Sequence, residues 1–215
     1  QLGNGGVDGG VGTGVSLDGE AFQTEELILS EAERLFAEKG YYGLGLNELL
    51  NRCGIPKGSF YYYFPEGKNQ LIQEVLEYSY QRMRTRIGEW VMDEKTAVSA
   101  FGRMADRLSR GVEEKRPLAS MLLSMIAIES VYLDPQVNEI CRHIYRDWQA
   151  YYADLLSRFG FPDEECLPKA QAVFALIHGS LISSWIKQSP EDLQLAKPAL
   201  VALLDHKKAE ENAHL

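Results

Sequence analysis

The stretch that decides the fold spans residues 45–64 and reads GLNELLNRCGIPKGSFYYYF. Its first half predicts a helix of about two turns, because four apolar residues recur at three- and four-residue spacing: Leu46, Leu49, Leu50 and Cys53. Gly54-Ile55-Pro56 ends that helix, and a second short helix is predicted from Pro56 or Lys57 to about Tyr63. Two short helices joined by a glycine-containing break are what a helix-turn-helix requires.

The second short helix carries an unusual set of side chains. Ile55, Phe60 and Phe64 are placed to pin it to neighbouring helices. The residues left for an outer face are Lys57, Ser59, Tyr61, Tyr62 and Tyr63. Lysine and serine donate to phosphates, and tyrosine can donate a hydrogen bond and lie against a thymine methyl group. This pattern favours DNA as the partner, although an aromatic core helix with one lysine at its rim is the alternative.

The net charge opposes that interpretation at first sight. The 215 residues carry a formal charge of -9 with a pI near 5.0, whereas nucleic-acid-binding proteins usually have a basic surplus. Residues 1–33 hold seven acids and no Lys or Arg, residues 34–70 are net +2, and the remainder is net -4. The basic segment therefore coincides with the predicted helix-turn-helix.

The rest of the chain predicts an all-α protein of about nine or ten helices. Residues 1–20 are rich in glycine and indicate a flexible tail. Helix 1 is expected from the cap Thr24 to Lys39-Gly40. Later helices are expected from Lys68 and over about 95–112, 116–131, 135–159, 164–188 and 190–205. The predicted domains are the tail at 1–20, a helix-turn-helix domain at 21–67 and a larger helical domain at 68–215. The sequence contains no stretch of eighteen uncharged apolar residues, so it predicts no membrane-spanning helix.

Several short motifs occur together in order. They are Ala32-x-x-Leu35-Phe36, Lys39-Gly40-Tyr41, the turn Gly54 to Ser59, Tyr61 to Phe64, and Lys68 before Leu71. On these motifs residues 24–72 resemble the DNA-binding domain of the TetR family of bacterial transcriptional repressors. The stretch Pro117 to Glu129 and the segment ALIHGSLISSW at 175–185 are similar to the subgroup that regulates multidrug and flavonoid-responsive operons.

The resemblance implies a role for individual residues. Lys57, Gly58 and Ser59 would meet DNA at the start of the recognition helix, Tyr61 and Tyr62 would reach base edges or phosphates, and Tyr63 and Lys68 would clamp the backbone. Gly45 stands where the family often has a Thr or Ser cap that also binds phosphate, and Glu25 and Glu26 stand where a basic residue is common. These two departures predict weaker contacts to the DNA backbone near helix 1. Arg52 is either a further DNA contact or a solvated helix-face residue.

A homodimer is predicted because one helix-turn-helix reads only a half-site. The candidate interface helices are 135–159 and 164–188. The first has a broad apolar stripe of Val137, Ile140, Cys141, Ile144, Trp148, Tyr152, Leu155 and Phe159, and the second has Ala175, Gly179 and Ser183 four residues apart. Packing within one chain is the alternative, and the resemblance to a dimeric family favours the dimer.

A small apolar or aromatic inducer is the other partner that the resemblance implies, since Met and aromatic side chains suit varied apolar ligands. The residues expected at its site are Trp90, Phe101, Met104, Met121, Met125, Tyr132, Tyr145 and Trp148. A simple core role is the alternative for each. Ligand binding would shift the long helix that starts near Lys68, change the spacing of the two recognition helices and release the operator.

Catalytic chemistry has no support in the sequence. No Ser/His/Asp, Cys/His, paired-carboxylate or phosphate-loop arrangement is present, and His143 and His178 each predict a core or interface histidine. Three widely spaced cysteines indicate neither a disulfide framework nor a zinc site and favour a cytoplasmic protein. We therefore expect no metal, no cofactor and no enzyme activity. A ligand-binding protein or enzyme with a relic helix-turn-helix is the main alternative, and an interaction-only adaptor is the third.

Overall fold

The computed structural model describes residues 17–115 and 119–205. These residues form helices and connecting turns, with no strand among them, which confirms the all-α prediction. The helices are α1 Leu17–Gly43, α2 Leu46–Cys53, α3 Lys57–Tyr63, α4 Lys68–Val91, α5 Ala97–Glu113, α6 Ala119–Leu133, α7 Pro135–Arg158, α8 Asp163–Lys187 and α9 Glu191–Leu204. In this described part no helix is long and apolar enough to cross a bilayer.

Helix α1 begins earlier than its sequence predicts. It starts at Leu17, so Thr24 lies inside the helix and residues 17–20 of the predicted tail are helical. The remainder of the predicted tail, residues 1–16, lies outside the described residues. Each added residue of a helix gains one backbone hydrogen bond, and Glu20, Ala21 and Gln23 are good helix formers, so extension outweighs capping at Thr24. Helical geometry is interrupted at Gly40, as predicted.

The first three helices pack on the start of α4. Helix α1 contacts α2, α4 and α6, and α2 contacts α3. Leu35 and Phe36 of α1, Phe60 of α3, and Leu71 of α4 are among the core residues that hold this unit together. Because α4 continues from this unit to Val91 and also contacts α5 and α7, it joins the N-terminal helices to the rest of the chain.

An aromatic cluster forms the core of the second part. Fully buried Tyr152 of α7 packs edge-on against Phe101 and Phe174, and its hydroxyl donates to the sulfur of Met104 at 3.1 Å. The imidazole of His178 stacks on Phe174 with ring centroids 3.9 Å apart. This cluster gathers α5, α7 and α8 around one centre.

The predicted α7 interface stripe is part of this core. Val137, Cys141, Ile144, Trp148, Tyr152 and Leu155 are all buried inside their own chain, and Ile140 and Phe159 are partly buried against the same core. The prediction that this stripe meets a partner is therefore wrong, because α6 and α8 already cover it. On α8, by contrast, Ala175 and Gly179 are exposed, and Ser183 is half-buried with its hydroxyl donating to Asp192.

Buried His178 should make stability depend on pH. Burial lowers the pKa of His178 to about 4, from about 6.5 in an unfolded chain. Between these values the unfolded state binds the extra proton, so the free energy of unfolding should fall by about 2 kcal/mol from pH 7 to pH 5. Urea denaturation at the two pH values should show this fall, and His178→Phe should remove it. Exposed His143 supplies the control: a fall that vanishes in His143→Gln instead would contradict the assignment.

Candidate DNA-binding interface

A tight turn sets the angle between α2 and α3. Gly54 caps α2 in the left-handed conformation, with φ 66° and ψ 28°. Its N–H donates to the Asn51 carbonyl at 3.3 Å, and the Ile55 N–H donates to the Leu50 carbonyl at 3.2 Å. Glycine adopts this conformation without steric cost, and Pro56, with φ -73°, is the N-cap residue directly before α3. The predicted helix-turn-helix is confirmed.

The inner side of α3 is held by two phenylalanines. Phe60 and Phe64 are buried, and their rings stack with centroids 5.3 Å apart. Ile55 is half-buried and packs against the same core. The predicted anchoring of α3 by these three residues is confirmed, and it fixes which side of a seven-residue helix faces outward.

The outer side of α3 combines one cation with two phenols. Tyr62 is 77% exposed and Tyr61 is 43% exposed, and both Lys57 and Gly58 are exposed. The Lys57 ammonium lies 5.9 Å from the centroid of the Tyr61 ring. Ser59 and Tyr63 are half-buried, so they lie at the edge of this face. We call Lys57, Gly58, Tyr61 and Tyr62 the α3 face.

Two other predicted DNA contacts lie on the neighbouring helices, Gly45 at the start of α2 and Lys68 at the start of α4. Gly45 caps α2 with an extended backbone, is exposed, and has open space where a Cβ would stand. Lys68 is the first residue of α4, and its ammonium lies 4.5 Å from the centroid of the Tyr41 ring. Partial burial lowers the pKa of Lys68, and the nearby Glu129 carboxylate acts in the opposite direction. Lys68 is therefore a half-buried cation and not a freely extended one.

Most other cations of the basic segment are neutralised within the chain. Arg52 lies 2.8 Å from Glu38 and 3.2 Å from Glu48, and Lys39 lies 2.6 Å from Glu48. The hydrogen bond from Arg52 is the main reason that the pKa of Glu38 is lowered. Arg52 thus fits the helix-face alternative better than a DNA contact. Among the described residues no carboxylate lies within 4 Å of the Lys57 ammonium, so its charge remains available.

The C-terminal end of α6 is bonded to the helix-turn-helix unit at Tyr41. The Glu129 carboxylate accepts the Tyr41 backbone N–H at 2.8 Å, directly beside Gly40. The Tyr41 hydroxyl donates to Asp134 at 3.0 Å and lies 3.3 Å from the side-chain oxygen of Asn69. Burial, followed by the bond to Asp134, raises the pKa of Tyr41 to about 12. A movement of α6 would therefore act directly on α1 at Tyr41 and so on the position of the helix-turn-helix.

A groove of about 450 Å³ lies between α6, α7 and α8. Its lining is Ser124, Ala127, Ile128, Val131, Asn138, Cys141, Arg142, Tyr145, Arg146 and Ile182. Tyr145 is the member of the predicted ligand set found there. Its hydroxyl lies 3.3 Å from that of Ser124. Sequence reasoning missed the rest, although the nearly uninterrupted apolar sequence of α6 was a usable signal.

The structure does not bring the other predicted ligand residues to one site. Phe101 and Met104 are fully buried in the aromatic cluster, and Trp148 lines a cavity of only about 10 Å³. Trp90 and Met121 are half-buried against the core, whereas Met125 and Tyr132 are exposed on α6. The Met and aromatic side chains of the predicted set therefore lie in different parts of the fold, because some face the core and others face the solvent.

Two family models match the chain. Residues 28–75 match the model described as bacterial regulatory proteins, tetR family. Residues 97–199 match the model described as transcriptional regulator LmrA/YxaF-like, C-terminal domain. The two matches cover, respectively, the helix-turn-helix unit with the start of α4, and the helices that surround the groove and the aromatic cluster.

Individual proteins agree with these matches. The chain is 30% identical over 164 residues to the HTH-type transcriptional regulator LmrA of Bacillus subtilis, covering 75% of this chain and 86% of LmrA. It is 25% identical over 184 residues to the HTH-type transcriptional regulator YxaF of the same organism, covering 86% and 96%. The crystal structure of reduced Escherichia coli NemR has the same fold, with a TM-score of 0.74, 24% identity, and coverage of 85% and 97%.

Proposed function

The chain belongs to the TetR family of bacterial transcriptional regulators, and from this premise we propose that it is a homodimeric repressor that a small ligand releases from a palindromic operator. It is a DNA-binding transcriptional regulator of the helix-turn-helix type. The observation that carries the operator proposal is the α3 face, where Lys57 and Tyr62 point outward from a helix pinned by Phe60 and Phe64. We assign the protein to the cytoplasm, where such a regulator meets DNA.

We propose roles on DNA that follow from exposure. Lys57, Gly58 and Ser59 meet the phosphates at the start of α3, and Tyr61 and Tyr62 reach base edges. Tyr63 and Lys68 contact the backbone from the edge of the face. Gly45 lets the backbone of α2 approach DNA closely without offering a hydroxyl. The DNA-binding domain would comprise residues 21–67 and the ligand-binding and dimerisation domain residues 68–215, since α4 begins at Lys68.

The exposed sides of α8 and α9 support the homodimer proposal. The exposed side of α8 carries small and apolar residues at spacings of three, four and seven residues: Ala172, Ala175, Gly179 and Ile186. The exposed side of α9 continues it with Leu195, Pro198, Ala199 and Ala202. Two antiparallel neighbouring helices with such faces would pack on their symmetry mates as a four-helix bundle. We call these eight residues the α8–α9 face.

We propose the groove between α6, α7 and α8 as the inducer site. Its volume is typical of sites for small organic ligands, and its apolar walls with a few polar groups suit an apolar or aromatic molecule. A ligand there presses on α6, which holds Tyr41 through Glu129. Preferential binding to an altered position of α6 would favour a dimer whose recognition helices no longer match the operator. The core members of the predicted set would respond by repacking rather than by touching the ligand.

Selection of bound fragments from random DNA tests the operator proposal. A palindrome should emerge, because a two-fold dimer reads two equal half-sites. If the two Lys57 and two Lys68 side chains supply the phosphate contacts, the slope of log K against log salt should be about -4. Lys57→Ala should make the slope shallower by about 2. Absence of any enriched sequence at physiological salt would instead favour the ligand-binding protein with a relic helix-turn-helix.

A further inference from the structure

Three polar side chains of helix α6, those of Ser124, Glu129 and Ser130, bond to groups of the same chain. Ser124 is buried with its hydroxyl near that of Tyr145, and fully buried Ser130 donates to the Ala127 carbonyl. Glu129, the single charged residue of Ala119–Leu133, bonds the Tyr41 backbone. The groups that a surface helix normally offers to water are therefore used inside the chain.

The outward side of α6 is apolar. Ile128 is 68% exposed and Tyr132 is 89% exposed, and Met125 and Val131 are exposed beside them. A surface helix of a monomer normally has the opposite arrangement, with apolar residues inside and polar residues outside. Contiguous exposed apolar patches mark interaction sites. We call Met125, Ile128, Val131 and Tyr132 the α6 face.

We propose that a second copy of this chain covers the α6 face, which extends the dimer surface beyond α8 and α9. This inference rests on the homodimer of the proposed function. Continuity supports the second copy as the occupant: Ile128 and Val131 line the groove together with Ile182 of α8. Ile182 lies on α8 between Gly179 and Ile186 of the α8–α9 face. The two faces thus form one surface, and a two-fold dimer uses the same surface on both copies.

The charge of the α6 face also favours a second copy. Its four residues carry no charge, so they can form no ion pair with a phosphate or with a strongly charged protein. A self-complementary apolar contact needs no charged group and gains free energy from apolar area removed from water.

Closure of the groove follows from this docking. Ile128 and Val131 line the groove and are exposed in one chain, so a partner copy seated on them would add a wall to the groove. The inducer site is then incomplete in a single subunit, and a bound ligand touches both. Because α6 also holds Tyr41, the contact between subunits sets the position of the DNA-binding helices at the same time.

Thiol alkylation measures burial of the α6 face directly. Ile128→Cys and Met92→Cys form a matched pair, because both native residues are 68% exposed in one chain and Met92, at the end of α4, belongs to neither the α6 face nor the α8–α9 face. The three native cysteines are buried, and burial raises the pKa of the Cys53 and Cys141 thiols to about 11, so they react slowly. In a dimeric sample the thiol of Ile128→Cys should react at least tenfold more slowly than that of Met92→Cys.

Sedimentation equilibrium separates the failure of this inference from that of the homodimer. Ile128→Lys should raise the dimer dissociation constant at least tenfold, whereas Met92→Lys should leave it unchanged. A stable dimer in which the two engineered thiols react equally fast overturns the α6 inference and leaves the homodimer standing. A wild-type chain that is monomeric at tens of micromolar overturns both.

Discussion

Tyr62→Ala is expected to weaken operator binding by about 1–3 kcal/mol per half-site, because it removes the base contact that we propose for this side chain. The phenol of Tyr62 is 77% exposed on α3, and its helix is anchored from the other side by Phe60 and Phe64. The substitution should therefore leave the fold intact. Fluorescence anisotropy on the selected operator and on a scrambled duplex, at one salt concentration, measures the loss. Tyr62→Phe then separates the hydroxyl from the ring.

The neighbouring cations supply the comparison. Lys57→Ala and Lys68→Ala should each weaken binding to both duplexes alike, since a phosphate contact carries no sequence information. Arg52→Ala is the matched control, because its guanidinium is already paired with Glu38 and Glu48. Unchanged operator affinity in the Lys57, Tyr62 and Lys68 variants together would disprove the assignment of α3 as the recognition helix.

Gly40→Ala is expected to lower the free energy of unfolding by about 3 kcal/mol, from two independent causes. Gly40 has φ 72° and ψ -179°, a conformation that is open almost only to glycine. An added Cβ would also overlap the Glu129 carboxylate, which must then leave the Tyr41 N–H without its acceptor. Urea denaturation at pH 7 measures the loss.

Gly45→Ala is the matched control for Gly40→Ala. Gly45 lies five residues further along, has an ordinary extended backbone, and has open space around its missing Cβ. Its replacement should cost well under half as much. If the clash with Glu129 contributes, Glu129→Ala should cost less in the Gly40→Ala background than in the wild type. Equal losses in the free energy of unfolding for the two glycine variants would show that alanine at position 40 causes no special strain.

Local pattern was sufficient for the DNA-binding unit. The spacing of Leu46, Leu49 and Leu50 indicates the buried side of α2. Gly54, which follows the helix, adopts the left-handed conformation that ends it. Phe60 and Phe64 are four residues apart and so lie on one side of α3, whereas Tyr61 and Tyr62 lie on the other side. This spacing indicates which side of α3 is buried. These features depend on neighbours within a few residues, so they can be predicted from the chain itself.

Pairings between distant segments were beyond such reasoning. Arg52 is as suitable for a phosphate as Lys57 by sequence, and its pairing with Glu38, fourteen residues earlier in the chain, favours the helix-face alternative. Phe101 and Tyr132 have similar side chains, but one lies in the core and the other is exposed on α6. The direction of each helix face depends on what packs against it, and this is set by the whole fold.

The sequence by itself determined an all-helical chain with a helix-turn-helix, a basic segment at residues 34–70, and the outward Lys57 and Tyr62, because helical periodicity and turn chemistry are short-range. Only the tertiary structure decided that the α7 stripe is core, that a groove opens beside α6, and that Glu129 bonds Tyr41 across 88 residues. Those outcomes depend on which surfaces meet. Burial and hydrogen bonding stabilise such contacts only after the helices have packed.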